Sequence, residues 1–118
     1  MRQRVQQAGV IPWRVGDAGV EILLITSRRT GEWIVPKGMI EPELGPVQSA
    51  VVEAWEEAGV RGEVEHEVIG RFRYAKYGRR FTVSLYALHV TEELDEWPEM
   101  GARERTWMPL PQATFAVE

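Results

Sequence analysis

Three carboxylates crowd the middle of the chain: Glu53, Glu56 and Glu57, spaced i, i+3 and i+4. If the segment is helical, that spacing puts all three on one face, because an α-helix turns about 100° per residue. Like charges so placed repel and weaken an isolated helix by roughly 0.2–0.5 kcal/mol per pair. A divalent cation, which prefers hard oxygen ligands, would make the crowding useful. A solvated acidic helix face is the plainer reading, and the glutamates alone do not exclude it.

The segment in front of them bears on that choice. Residues 33–42, Trp-Ile-Val-Pro-Lys-Gly-Met-Ile-Glu-Pro, read as a short strand and then a loop leading into the acidic helix. Gly38 lets a backbone carbonyl approach a metal, and Lys37 offers a cation to a phosphate. Strand, glycine loop and carboxylate-bearing helix together suit a metal-chelated diphosphate.

The elements that must position these groups follow from periodicity. Val47, Ala50, Val51, Ala54 and Ala58 recur at steps of three and four, which predicts an amphipathic helix over residues 46–58. Pro46 suits its first turn and Gly59 its left-handed end. Residues 8–15 read as a strand interrupted by Pro12, and Val20, Ile22, Leu23, Leu24 and Ile25 as a central strand. One or two strands are expected over residues 60–73, a long one over 81–90, an acidic loop over 92–103 and a last strand through Trp107. Strands flanking a helix in this order predict an α/β (α+β) domain with a mixed sheet.

Composition sets the outer bounds. At 118 residues, 44% hydrophobic and 27% charged, residues 1–118 read as one folded domain. The absence of cysteine excludes disulfides, thiolate nucleophiles and sulfur-ligated zinc. No run approaches the roughly 18 apolar residues of a membrane span, and the amino terminus is polar, so a cytoplasmic protein with no membrane partner is expected. A net charge of −4 argues against a nucleic acid polymer as partner.

Residues 38–60 resemble the box that defines the Nudix hydrolases. Gly38, Glu53, Ala54, Glu56, Glu57, Gly59 and Val60 fall on its spaced pattern without a gap. Two positions depart from it: Leu44 stands where the family has its first glutamate, and Val52 where it has an arginine. Glu41 or Glu43, nearby in the loop, could replace the missing carboxylate. Outside the box, residues 32–38, 41–43, 57–62 and 91–107 are similar to the branch acting on diphosphoinositol polyphosphates and dinucleoside polyphosphates.

The resemblance implies a Nudix fold, with the box helix packed on a mixed sheet in an α/β/α sandwich. It also implies magnesium- or manganese-dependent hydrolysis of a pyrophosphate bond in a nucleoside diphosphate linked to another moiety. Glu56, Glu57 and the carbonyl of Gly38 would ligate metal; Glu53 would ligate metal or act as general base, with Glu57 the alternative base. Phosphates of this small substrate then need cations, and Arg28, Arg29, Lys37, Arg73, Lys76, Arg79 and Arg80 are the candidates. For Arg79 and Arg80 a solvated hairpin turn competes. Leu44 and Val52 leave room for another reading, a catalytically weak or silent module that binds a nucleotide or metabolite. Trp33 and Trp107 are expected in the core or the pocket wall, and His66 and His89 receive no role. Relatives usually carry a full terminal helix, whereas residues 112–117 allow about one turn. A short or missing helix would expose a flank of the sheet, so a homodimer is a further expectation.

Overall fold

The computed structural model describes residues 4–116, the last three by backbone alone. Strands β1 (Arg4–Gly16), β2 (Gly19–Thr26), β3 (Trp33–Ile34), β4 (Lys37–Met39), β5 (Val60–Val64), β6 (Gly70–Lys76), β7 (Arg79–Glu93) and β8 (Arg105–Pro109) form one mixed sheet. Helix α1 (Gly45–Glu53) continues into a π-helical turn over Ala54–Ala58, and α2 (Leu110–Ala116) follows β8. The terminal helix is therefore short, and it begins ahead of the expected segment.

β1 organises the sheet. One edge runs parallel to β7, from Arg4 beside Arg80 to Trp13 beside His89. The other edge changes partner along its length, pairing with β4 at residues 7–9 and with β2 at residues 13–16. β1 and β2 thus diverge, and the segment carrying β3 and β4 fills the wedge, held by the Val10 N–H on the Pro36 carbonyl at 3.1 Å. Lys37–Met39 is accordingly a strand, where the sequence suggested loop. Pro12 does not interrupt β1. N–H groups alternate between the edges of a strand, so Pro12 faces the same edge as Val10, at the point between β4 and β2 where a ladder donor is not needed.

Alternation also sorts the core into two layers. Ala50, Ala54 and Ala58 are fully buried along one stripe of the helix and pack on Ala8, Val10, Leu23, Ile25, Val60, Tyr86 and Leu88. Alanines let the helix axis lie close to the sheet. On the opposite face Ile22 and Leu24 meet Ala113 of α2, with Ile11, Trp13, Trp33, Val35 and Met108 around them. The result is the α/β/α layering that the resemblance implied.

The carboxyl end of the helix explains how a distant loop reaches it. The last carbonyls of a helix lack internal partners, and here residues 94–105 supply them. Glu56 O accepts from the Glu99 N–H at 3.0 Å and Gly59 O from the Leu94 N–H at 2.8 Å. Glu57 O accepts from Trp97 Nε1 at 3.3 Å, and Ala58 O from Arg105 Nη1 at 3.0 Å. Arg105 also lies 3.9 Å over the Trp97 ring and places its charge at the negative end of the helix dipole.

Gly59 makes this closure possible, with φ +67° and a would-be Cβ only 2.5 Å from Trp97 Cδ2 and 2.7 Å from Arg105 Nη1. Gly59→Ala should therefore lose stability by about 2 kcal/mol, from the left-handed strain and the displaced indole together. Urea unfolding checks this; an unchanged midpoint would show that the loop yields freely.

Candidate metal and phosphate site

Gly38 and Lys37 are neighbours on β4 and so face opposite sides of the sheet. Gly38 pairs with Ala8 and faces the helix layer. There the Glu53 carboxylate packs against it so closely that a Cβ on Gly38 would stand 2.6 Å from both carboxylate oxygens. Lys37 faces the other layer, where its ammonium is 3.2 Å from the Tyr74 hydroxyl, which in turn donates to Gln7 Oε1 at 2.6 Å. The Lys37 main-chain N–H donates to Glu57 Oε1 at 3.1 Å. One residue thereby touches both the acidic helix and the cleft.

Glu57 is the most enclosed of the box glutamates, 8% exposed. Its Oε2 accepts from Arg103 Nη2 at 3.3 Å, while Arg103 Nε donates to Glu99 Oε1 at 2.9 Å and Nη1 to the Thr26 carbonyl at 3.0 Å. Burial pushes the Glu57 carboxyl up, opposed by the Arg103 charge and by the Lys37 N–H. Glu53 is pushed up to about 8, first by burial, then by the negative charges of Glu57, Glu56 and Glu99, and finally by a hydrogen bond with Glu57. A carboxyl that holds its proton because it is buried, and then because its neighbours are anionic, is one whose charge a bound cation would stabilise. The donor set is all oxygen, as magnesium and manganese prefer, so these residues fit a divalent cation. Among the described residues no three carboxylate or imidazole side chains are already gathered to chelate one.

Beside Lys37 opens a cleft of 570 Å³ lined by Arg29, Lys37, Arg73 and Lys76 as cations and by Trp33, Phe72 and Tyr74 as aromatics. Four candidate cations thus share one cavity. Arg28 does not line it; its guanidinium is largely exposed and stands 3.9 Å from Glu99. Arg80 lies instead in a separate hollow of 280 Å³ with Arg4, Arg73 and Thr82. Glu41, Glu43 and Leu44 are exposed, and Leu44 occupies the cap position of α1 with no side-chain hydrogen bond.

Several residues of this site were not legible locally. Arg103 pairs with a glutamate 46 positions away, and Glu99 arrives only because its loop closes the helix end. Tyr74 did have a signal: Phe72, Tyr74 and Lys76 alternate along β6 and share the cleft face. The carboxylate separation is also altered by the π turn, since Glu56 and Glu57 belong to the widened segment and Glu53 to the α-helix before it.

A mixed sheet between two helix layers, with a glycine strand set against an acidic helix end, defines a domain of the Nudix type. The chain belongs to that family: the NUDIX domain matches residues 4–118. Nudix hydrolase 17, mitochondrial, of Arabidopsis thaliana is 33% identical over 123 residues, covering 96% of this chain and 66% of the relative. Diphosphoinositol polyphosphate phosphohydrolase 3-beta of Bos taurus is 38% identical over 101 residues, covering 83% of this chain and 60% of the relative. The chain thus spans less than two thirds of the length of these curated relatives. The crystal structure of a C. elegans Ap4A hydrolase binary complex superposes with a TM-score of 0.76 over 95% of this chain and 85% of that one, at 24% identity, which speaks for the fold. Among the described residues no helix is long and apolar enough to cross a membrane.

Proposed function

We propose that this domain is a pyrophosphohydrolase that uses magnesium or manganese to cleave the diphosphate of a small substrate, a nucleoside or inositol diphosphate linked to a further group. The observation that carries the reading is the Glu53 carboxylate seated on Gly38 among other carboxylates, beside a cleft walled by Lys37, Arg73 and Lys76. Acidic side chains alone would repel a diphosphate; a cation held by Glu53, Glu56, Glu57 and the Gly38 carbonyl reverses the sign of that surface. The bound ion supplies charge neutralisation and an acidified water. Glu53 gives up its own proton when a cation binds and would then accept the proton of the attacking water, with Glu57 as the alternative. Lys37, Arg73, Lys76 and Arg29 hold the phosphates on the cleft side, and Trp33, Phe72 and Tyr74 offer flat surfaces to the group beyond them.

Similarity to a diphosphoinositol polyphosphate phosphohydrolase by sequence, and to an Ap4A hydrolase by fold, supports a polyphosphorylated substrate of one of these classes. The test is phosphate or nucleotide release in magnesium and then manganese across diadenosine polyphosphates, a diphosphoinositol polyphosphate, ADP-ribose and nucleoside triphosphates. Turnover of none, with binding retained, would favour the silent module suggested by Leu44 and Val52.

Gly38→Ala probes the seat of Glu53 directly. The added methyl must push the carboxylate aside, and hydrolysis should drop roughly ten- to a hundredfold, as for other small misplacements of a reacting group. Stability should hardly change, because Gly38 has no positive φ. Steady-state rates beside a thermal melt separate the two; equal activity would move the site away from Gly38.

A further inference from the structure

We infer that Arg103 is a resident counter-cation of Glu57 which a divalent ion displaces, so that metal binding at this site is an exchange of positive partners. The inference rests on the metal reading given above. Arg103 and Glu57 are each 10% exposed at the side chain. A carboxylate so enclosed needs a partner, since leaving one member of a buried pair alone strands its charge. The helix itself offers none, because Val52 stands where the Nudix box has its arginine. Both Glu57 oxygens are engaged, Oε1 by the Lys37 N–H and Oε2 by Arg103. Each oxygen keeps a free lone pair, but a doubly charged ion on Oε2 would stand against the guanidinium already bonded there, and that repulsion favours loss of whichever donor can move.

The geometry says which donor gives way. The Lys37 N–H is fixed in β4, whereas Arg103 has two further anchors, Glu99 at 2.9 Å and the Thr26 carbonyl at 3.0 Å. Its bond to Glu57, at 3.3 Å, is the longest of the three. Releasing it leaves the guanidinium hydrogen-bonded at Nε and Nη1 and still enclosed by the loop. Electrostatics favours the same direction: Arg103 faces Glu57 and Glu99, Arg28 stands 3.9 Å from Glu99 alone, and Glu53 and Glu56 lie near Glu57, so a doubly charged ion neutralises more of the cluster than Arg103 does.

The experiment measures Mn²⁺ affinity of the whole chain by calorimetry, for the wild type, Arg103→Gln, Arg103→Lys and Glu57→Gln, with thermal melts in chelator and in Mn²⁺. Exchange predicts that Arg103→Gln binds Mn²⁺ about tenfold more tightly, the equivalent of one charged hydrogen bond no longer to be broken. It also predicts a lower melting temperature in chelator and a larger rise on adding Mn²⁺ than the wild type shows. Arg103→Lys, which keeps the charge without the fork, should fall between and serves if the glutamine variant does not fold in chelator. In a Mg²⁺ titration followed by side-chain ¹⁵N resonances, Arg103 Nη2 should shift while Nε stays in place. Unchanged or weaker Mn²⁺ binding in Arg103→Gln, or a guanidinium unmoved by Mg²⁺, overturns the exchange alone, provided Glu57→Gln weakens binding. Mn²⁺ binding that is absent, or indifferent to Glu57→Gln, overturns the exchange together with the metal reading beneath it.

Discussion

Glu53→Gln is expected to lower kcat for pyrophosphate hydrolysis by roughly 10²–10⁴-fold while KM stays within a few fold. The substitution keeps the shape that fits over Gly38 and removes the proposed proton acceptor, so the substrate contacts proposed for Lys37, Arg73 and Lys76 in the cleft would be left in place. Glu57→Gln should also abolish turnover but for a partly different reason. It leaves Arg103 enclosed without one of its carboxylates, and such single removals from buried pairs cost about 3–5 kcal/mol at full burial. The two variants are therefore told apart by their melts: the Glu53 variant folds as well as the wild type or better, and the Glu57 variant loses stability. Full turnover by Glu53→Gln would transfer the base to Glu57, and full turnover by both would remove the helix from the chemistry.

The asymmetry between these two glutamates could not be read from their spacing. As sequence, Glu53, Glu56 and Glu57 are equivalent members of one acidic face, and helix periodicity could say no more than that. What separates them is non-local: β4 places Gly38 under Glu53 and the Lys37 N–H beside Glu57, and the loop before β8 brings Arg103 to the second of these. Helix and strands were legible where the apolar pattern was strong: the alanine stripe running from α1 into the π turn buries one face, and the unbroken β2 run is buried on both. β4 was not, since a strand of Lys-Gly-Met has no apolar alternation and exists because β1 and β2 diverge. The cations show the same division. Lys37 and Lys76 share a cleft face because β4 and β6 lie on opposite sides of the β1–β7 pair, whereas Arg80, paired with Ala75, takes the other face together with Arg73, which lines both hollows.

Those surroundings give Glu53 a second measurable consequence, in the absence of metal. Its ordinary value is 4.5, and the folded site pushes it up to about 8. Between these values the folded protein holds a proton that the unfolded chain releases, so unfolding is favoured as the pH rises. Stability in chelator should then fall progressively from about pH 4.5 to about pH 8 and level off above. The loss should be on the order of 2 kcal/mol once solvent screening of a half-buried carboxyl is allowed for. Glu57, also raised, contributes with the same sign, and its Arg103 partner limits how much. Glu53→Gln should flatten the profile and leave the chelated variant more stable than the wild type at pH 8.5. Magnesium should do likewise for the wild type alone, by supplying the positive charge that the carboxylates lack. Urea unfolding from pH 5 to 9, with and without magnesium, measures all of this. A slope that persists unchanged in Glu53→Gln would place the proton elsewhere, and a slope that magnesium leaves untouched would mean that the ion does not bind beside Glu53.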